Sequence, residues 1–418
     1  MKILLVSQYF WPESFRVNDL VRAWQERGHQ VTVLTGIPNY PQGRPFTGYS
    51  AFGPATEHFG SSRVVRVPLL PRGRGSRVRL AVNYLSFVLS ASLLGPLRCR
   101  ERFDCVFVYQ LSPVTVGIPG AVLRRLRGVP MALWVQDLWP ETLTAVDAVR
   151  SPLVLAVVRR LVRWIYRRCD LLLVQSRGFV SAVETCGADP VHVRHLPNWS
   201  ESFYRPVEVE ADAPERAALP QGFVALFAGN LGDAQSLETI LEAADRLRHG
   251  PEIHWVLLGE GSRRRWLESE IVRRRLGGSV HWLGAHPAES MPRWLCAADA
   301  LVITLRAGDA ISLTVPTKLQ SYLACGRPIL GALDGEGADI VRCAGAGLIG
   351  PAGDAGELAA NALTLAGSPA EERAAMGRAG RDYFLGHFER EGLVGRLETW
   401  LEELTGAERR VANEPRRA

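Results

Sequence analysis

Lysine is almost missing from this 418-residue chain: Lys2 and Lys318 stand among 49 basic residues, and arginine supplies all the rest. Cysteine is sparse and unpaired. Seven residues, an odd number, are scattered from Cys99 to Cys343 without a C-x-x-C pair, which excludes a disulfide framework or a zinc ribbon and points to a reducing compartment. The nine histidines show no ligand spacing and no G-x-S-x-G accompanies them, so no metal is expected and hydrolase chemistry has no support. The first apolar run is not followed by G-x-G-x-x-G, where a dehydrogenase would carry its dinucleotide fingerprint. Neither an internal repeat nor a low-complexity tract is present, which removes solenoids. The opening Met1-Lys2-Ile3-Leu4-Leu5-Val6 is too short for a leader and is expected to be a first strand of a cytoplasmic protein.

With 47% hydrophobic and 22% charged residues, there is material for two cores of ordinary size. The net charge of +6 conceals an asymmetry: residues 1–198 hold 25 Lys/Arg against 12 Asp/Glu, the remainder 24 against 31. No nucleic-acid motif goes with the basic half, so an anionic membrane surface is the favoured partner and nucleic acid is not expected. Residues 81–97 carry no charge but contain Asn83, three serines and Pro96, short of the roughly 20 strongly apolar residues of a spanning helix. They follow Arg72, Arg74, Arg77 and Arg79, and an interfacial or buried helix is expected. Residues 152–168 set five arginines among Leu, Val, Trp and Ile behind Ser151 and Pro152. A basic membrane-surface helix and a core-facing helix with a solvated cationic side both fit that pattern.

Short apolar runs alternate with helical periods. The expected strands are Lys2–Val6, Gln30–Leu34, Cys105–Tyr109, Met131–Val135 and Leu171–Gln175. After residue 220 come Phe223–Ala228, Ile253–Leu258, Val280–Leu283, Ala300–Leu305 and Pro328–Leu330. Such alternation implies parallel sheets covered by helices on both faces. Two doubly wound Rossmann-like α/β domains are therefore expected, 1–200 and 201–390, joined through the proline-rich stretch 196–221. A C-terminal helix with a frayed tail, 391–418, should follow.

Chemistry is expected at the strand ends. Phe227-Ala228-Gly229-Asn230-Leu231-Gly232-Asp233-Ala234-Gln235-Ser236 lies between an apolar strand and a helix with apolar Leu237, Ile240, Leu241 and Ala244. A glycine turn there aims backbone amides and a helix dipole at a phosphate, though tight turns need glycine for steric reasons too. Gly259-Glu260-Gly261 repeats the arrangement after the next strand. In Val315-Pro316-Thr317-Lys318-Leu319-Gln320, Lys318 sits at a helix start, where the dipole disfavours a cation unless an anion lies between. Phosphate binding by Lys318 is preferred to a solvated surface lysine. In the first half, Gln136-Asp137-Leu138-Trp139-Pro140-Glu141 places two carboxylates and an apolar wall at a strand end, with simple helix capping by Asp137 as the bland alternative. Loops 8–16 and 36–41, with Glu13, Arg16, Asn39 and Tyr40, should share that edge. Gly345-Ala346-Gly347-Leu348-Ile349-Gly350 matches a dinucleotide motif only formally, because it follows a helix and leads into Pro351.

Taken together, KILLVSQYFWPE, ERGHQVTVLTG, GNLGDAQSLETILEAADRL, WVLLGEG, VHWLGAHPAESMPRWLCAADALVITL and VPTKLQSYLACGRPIL resemble the GT-B glycosyltransferases of family four. NYP, QDLWPE, GNLGDAQ and PTKLQSYLACGRP carry a likeness to its O-antigen, capsule and colanic-acid branch, including transferases of N-acetyl-L-fucosamine. The resemblance implies two domains facing across a cleft and a metal-independent, retaining transfer from a nucleotide sugar, with UDP as the expected carrier and no further cofactor. Gly229, Asn230, Gly232, Gln235, Gly259, Glu260, Gly261, Pro316, Thr317, Lys318 and Gln320 would bind the donor. Glu13, Arg16, Asn39, Tyr40 and Trp139 would meet the acceptor, and Asp137, Glu141 and Lys318 would act in catalysis. The acceptor is expected to be a lipid-linked saccharide at the inner face of the plasma membrane, with a soluble natural-product acceptor as the alternative. The pattern departs from the family at Leu313 and Ser321, where it has two glutamates eight apart, at Asn230 and Gln235, where it has arginine and lysine, and at Gln136, where it has histidine. A nucleotide-sugar epimerase and a non-catalytic nucleotide-binding partner subunit remain as other classes.

Overall fold

Continuous apolar runs fold as strands covered on both faces, since a parallel strand with helices above and below meets no water. The computed structural model describes residues 1–73, 76–145 and 151–406, and the chain divides into two compact units. The expectations resting on Arg74 and on the frayed tail beyond residue 406 lie outside the described residues.

The first unit comprises Met1–Leu196 together with the segment from Val394 onward. Its strands are β1 (Lys2–Val6), β2 (Gln30–Gly36), β3 (Thr56–Phe59), β4 (Ser62–Val67), β5 (Cys105–Gln110), β6 (Met131–Val135), β7 (Leu171–Val174) and β8 (Val193–His195). They form one sheet in the order β3-β4-β2-β1-β5-β6-β7-β8, parallel except that β3 runs antiparallel to β4. Leu4 pairs with Thr32 on one side and Val106 on the other, and Ile3 through Val6 are completely buried. The chain winds outward both ways from β1, so the loops after β1 and β5 flank the switch point where α/β folds place ligands.

The second unit, Pro197–Leu393, holds β9 (Phe223–Ala228), β10 (Ile253–Leu258), β11 (Val280–Trp282), β12 (Ala300–Thr304), β13 (Ile329–Ala332) and β14 (Gly347–Gly350). All are parallel, in the order β11-β10-β9-β12-β13-β14. Side chains of β9 alternate between two cores, Val224, Leu226 and Ala228 in one and Phe223, Ala225 and Phe227 in the other, the period-two pattern of a strand buried on both faces. Helix Leu237–Arg246 covers the sheet with Leu237, Ile240, Leu241 and Ala244, the residues its periodicity marks. Here the switch point lies between β9 and β12.

Four strands differ from expectation or were not expected from the sequence, each for a physical reason. Strands β3 and β4 form an edge hairpin whose Thr-Glu-His-Phe half is polar. Strand β8 has only three residues. Strand β14 contains the formal G-x-G-x-x-G run and pairs with β13, Leu330 opposite Leu348, because Gly347 lets the backbones approach: a Cβ there would stand 1.9 Å from the Ile329 carbonyl. The expected linker belongs to the second unit, with helix Pro214–Ala218 and with Tyr204, Val207 and Val209 packed on its core. The final helix, Arg390–Thr405, joins the first unit from Val394, held where Glu398 accepts from Arg27 and His29, each at 2.6 Å.

Candidate functional site

The second unit gathers its glycine turns around Lys318. The turns after β9 and β10 interlock through their backbones: Gly229 N donates to Leu258 O (3.0 Å), Leu231 N to Glu260 O (2.8 Å), and Arg263 N to Leu231 O (2.9 Å). Gly259 has φ +135°, and a Cβ on it would fall 1.9 Å from the Gly229 carbonyl, so no other residue fits between these turns. Gly261 likewise faces Leu231 O, at 2.3 Å from an added Cβ. Ser236 closes the first turn at φ +45°, an uncommon non-glycine conformation of the kind that collects at ligand sites.

Helix Thr317–Cys325 begins beside these turns and places Lys318 in its first turn. The ammonium donates to Gln235 Oε1 at 2.6 Å, lies 3.6 Å from the centre of the Phe227 ring, and would be 3.3 Å from a Cβ on Gly229. Among the described residues no carboxylate offsets its desolvation. Desolvation pulls its pKa well below that of a free lysine. A half-buried amine against an aromatic face and a helix N-terminus, with only a neutral amide for company, is a group whose charged form an anion would restore.

The other donor residues expected from the sequence divide by geometry. Gly229, Asn230, Gly232 and Gln235 line the turn, and Gln235 is fixed both through Lys318 and through its own carbonyl, which accepts from Thr304 Oγ1 at 2.5 Å. Glu260 is exposed and pairs with Arg264 at 3.2 Å, Arg264 lying over Trp282. Pro316 is buried and Thr317 exposed at the helix start, whereas Gln320 is buried and turns its amide onto the carbonyls of Pro316 (3.2 Å) and Thr317 (2.8 Å). Ser321 bonds Ser200 at 3.0 Å, so this family position serves packing here. Arg306 was not foreseen. It follows β12 at the switch point, is exposed, and donates its backbone N–H to Ala234 O at 3.0 Å. A cation just past a strand end was the available signal.

The first unit builds a second cluster on its switch-point loops. Asp137, after β6, accepts from Ser112 N (3.0 Å) and Ser112 Oγ (2.7 Å), and Trp139 Nε1 donates to the same hydroxyl at 3.1 Å. The carboxylate is thus bonded across to the loop after β5, which sets the capping alternative aside. Burial raises its pKa, the Ser112 bonds opposing. Glu141 opens the short helix Glu141–Ala145.

Glu13 is also buried, at 2% exposure. It accepts from Asn39 N (2.8 Å), Tyr40 N (2.7 Å) and Phe10 N (3.3 Å), and burial pushes its pKa up to about 7. Its position is that of a tie between loops 8–16 and 36–41. Asn39 accepts from Arg72 N at 3.1 Å. Arg16 begins helix Arg16–Glu26 with its Nε buried. Tyr40 is exposed and meets Tyr9 at 5.8 Å and Phe15 at 5.3 Å between ring centroids, with Arg72 over its face. Tyr9, Tyr84, Arg72 and Ser112 complete the cluster; Tyr9 lies in the marked loop 8–16, and the other three were not assigned to the acceptor from the sequence.

Two largely parallel α/β sheets in series, each covered by helices, are the GT-B architecture. Residues 14–199 match the glycosyl transferase 4-like domain and residues 222–368 the glycosyl transferases group 1 domain; the chain belongs to the GT-B glycosyltransferases. It is 27% identical over 338 residues to WcaI of Escherichia coli (strain K12), named as a colanic acid biosynthesis glycosyl transferase, covering 78% of this chain and 82% of that one. It is 27% identical over 406 residues to the 2-deoxystreptamine glucosyltransferase of Streptomyces kanamyceticus, covering 93% and 98%. The fold also matches Anabaena HepE, solved in complex with UDP, at TM-score 0.71 and 15% identity over 96% of this chain and 100% of that one.

Proposed function

We propose that the protein transfers a sugar from a nucleoside-diphosphate sugar, a UDP-sugar, to a lipid-linked saccharide during synthesis of a surface polysaccharide, with retention of configuration and without a metal ion. The observation that carries the donor half is the Lys318 ammonium, desolvated beside two interlocked glycine turns and a helix N-terminus. The bond from the anomeric carbon to the diphosphate breaks as the acceptor oxygen bonds to that carbon, and the acceptor proton passes to the departing phosphate. Lys318, the turn amides and the helix dipole stabilise the charge that builds on the diphosphate. The UDP complex of HepE supports the choice of nucleotide, and the name of the Escherichia coli relative supports the polysaccharide. Asp137, Trp139, Tyr40 and Arg72 are assigned to the acceptor, with Glu13 holding their loops. A soluble aminocyclitol-type acceptor is the second reading, favoured by the nearly full-length match to the 2-deoxystreptamine glucosyltransferase.

A thermal-shift series with UDP, GDP, dTDP, ADP and NAD, each with and without EDTA, tests the reading. A ligand at about 100 times its Kd adds roughly 2.7 kcal/mol. Selective stabilisation by UDP that survives EDTA supports it, and donor turnover only with a lipid-linked acceptor separates it from the soluble-acceptor and epimerase readings. Stabilisation by none of the nucleotides would favour a non-catalytic subunit.

A further inference from the structure

The helix Arg77–Arg98 of the first unit has one buried and one exposed apolar face. Asn83, Phe87 and Ala91 are completely buried against the sheet, while Val78, Val82, Leu85, Leu89, Leu93 and Leu97 are 39–73% exposed. The exposed set recurs every three or four residues along one side, so the face is continuous. Helix Gly117–Arg127 packs beside it and helix Pro152–Tyr166 follows in the same layer, Ile165 closing on Gly117. These add exposed Leu126, Leu153, Val154, Val157 and Trp164. Three helices thus carry eleven of the eighteen large hydrophobic residues exposed among the described residues, a concentration that scattered surface residues do not produce.

Charge selects what covers this face. The three helices contain nine arginines and no Asp or Glu, and Arg79, Arg125, Arg159, Arg160 and Arg163 are exposed beside the apolar residues. A second copy of the chain would bring the same excess of positive charge against it. An anionic lipid surface offers both acyl chains and phosphate.

We infer that this helix layer is a membrane-docking face that lies in the interface of an anionic bilayer. The 22 residues of Arg77–Arg98 extend about 33 Å, long enough to cross a bilayer, and among the described residues this is the one helix that meets that test by length and composition. Its second face is committed to the sheet, however: Gln8 Nε2 donates to Asn83 Oδ1 at 2.8 Å and Asn83 Nδ2 to Leu70 O at 2.7 Å. Leaving the domain to span would strand these buried polar groups, so the helix lies on the membrane. Asn83 also ties the layer to the loop after β1, which sets the bilayer beside the cluster assigned to the acceptor. Docking is read without donor or acceptor and stands whether or not the transfer reading does.

Flotation of the full chain with phosphatidylcholine vesicles, with and without phosphatidylglycerol, tests it. The wild type should float with the anionic vesicles and release in part as salt rises, and Leu89→Glu/Leu93→Glu should lower binding by about tenfold or more. These residues are exposed, so UDP binding and the melting temperature should stay unchanged, which separates lost docking from lost folding. Arg159→Glu/Arg160→Glu should weaken binding to the anionic vesicles alone. A wild type that floats with neither vesicle, a double-Glu variant that floats as well as wild type, or a dimer in light scattering that the double-Glu variant dissociates would each overturn the inference.

Discussion

Lys318 and Gln235 are 83 positions apart in sequence and 2.6 Å apart in space, the ammonium of one donating to the amide oxygen of the other above the Phe227 ring. The pair is the centre of the proposed donor site in the second unit, because the amide orients the amine without supplying a neutralising charge.

Protonation should follow binding. Desolvation lowers the Lys318 pKa, so the folded state binds fewer protons than the unfolded between that lowered value and the ordinary lysine value, and folding stability rises with pH through that window. A bound diphosphate reverses the shift. Calorimetry of UDP binding within that pH window, in buffers of different ionisation enthalpy, should therefore show proton uptake, and Lys318→Met should abolish it.

Replacing Gln235 with lysine puts a second cation beside the first. The ligand-free protein should lose roughly 1 kcal/mol or more, since like charges at this range repel even with water nearby. The melting-temperature increase produced by saturating UDP should grow, because the diphosphate now relieves that repulsion.

Glu13 makes a pH prediction of opposite sign. Its pKa is raised to about 7 by burial, so the folded state holds a proton that the unfolded state has released, and stability falls as pH rises through about 4.5 to 7. Above pH 7 the ionised group weighs on the fold by up to about 3 kcal/mol. Glu13→Gln keeps an oxygen for Asn39 N and Tyr40 N and loses the Phe10 bond. Its melting temperature should gain on wild type between pH 5 and pH 8.

The last helix is fastened to the first unit through Glu398, which receives Arg27 and His29 while His29 also meets the N-terminal amine at 2.9 Å. With Glu398 only 14% exposed, Glu398→Ala should lower stability by about 1–2 kcal/mol, and trypsin should cut faster at Arg396.

Much of this was legible in the sequence where a residue has no freedom. Strands at the sheet centres, β1, β5, β6, β9 and β10, are apolar at nearly every position, Lys2, Gln110 and His254 apart, because both faces are covered, and their ends follow closely. Edge elements obey weaker rules: β3 is polar, β8 has three residues, and β14 reads as a glycine motif because its backbone lies against β13. The glycine turns were legible because Gly259 and Gly261 leave no room for a Cβ, and Lys318 because it stands at a helix start. The first-unit cluster was legible only in part: the loops of Asp137, Trp139, Glu13, Asn39 and Tyr40 leave strand ends, whereas Ser112, Tyr84 and Arg72 carry no local signal and only the sheet order brings them to the same edge. Glu13 was expected at the acceptor, but its three backbone partners give it a loop-fastening role that no local pattern encodes.

Titration of UDP into the wild type and into Lys318→Ala, with and without EDTA, tests the central claim most directly. Saturable binding by wild type that persists in EDTA and weakens at least about tenfold in the variant, or roughly 1.4 kcal/mol, is the predicted result. Equal affinity in the two proteins, with the variant folded, would remove Lys318 from the site and contradict the account.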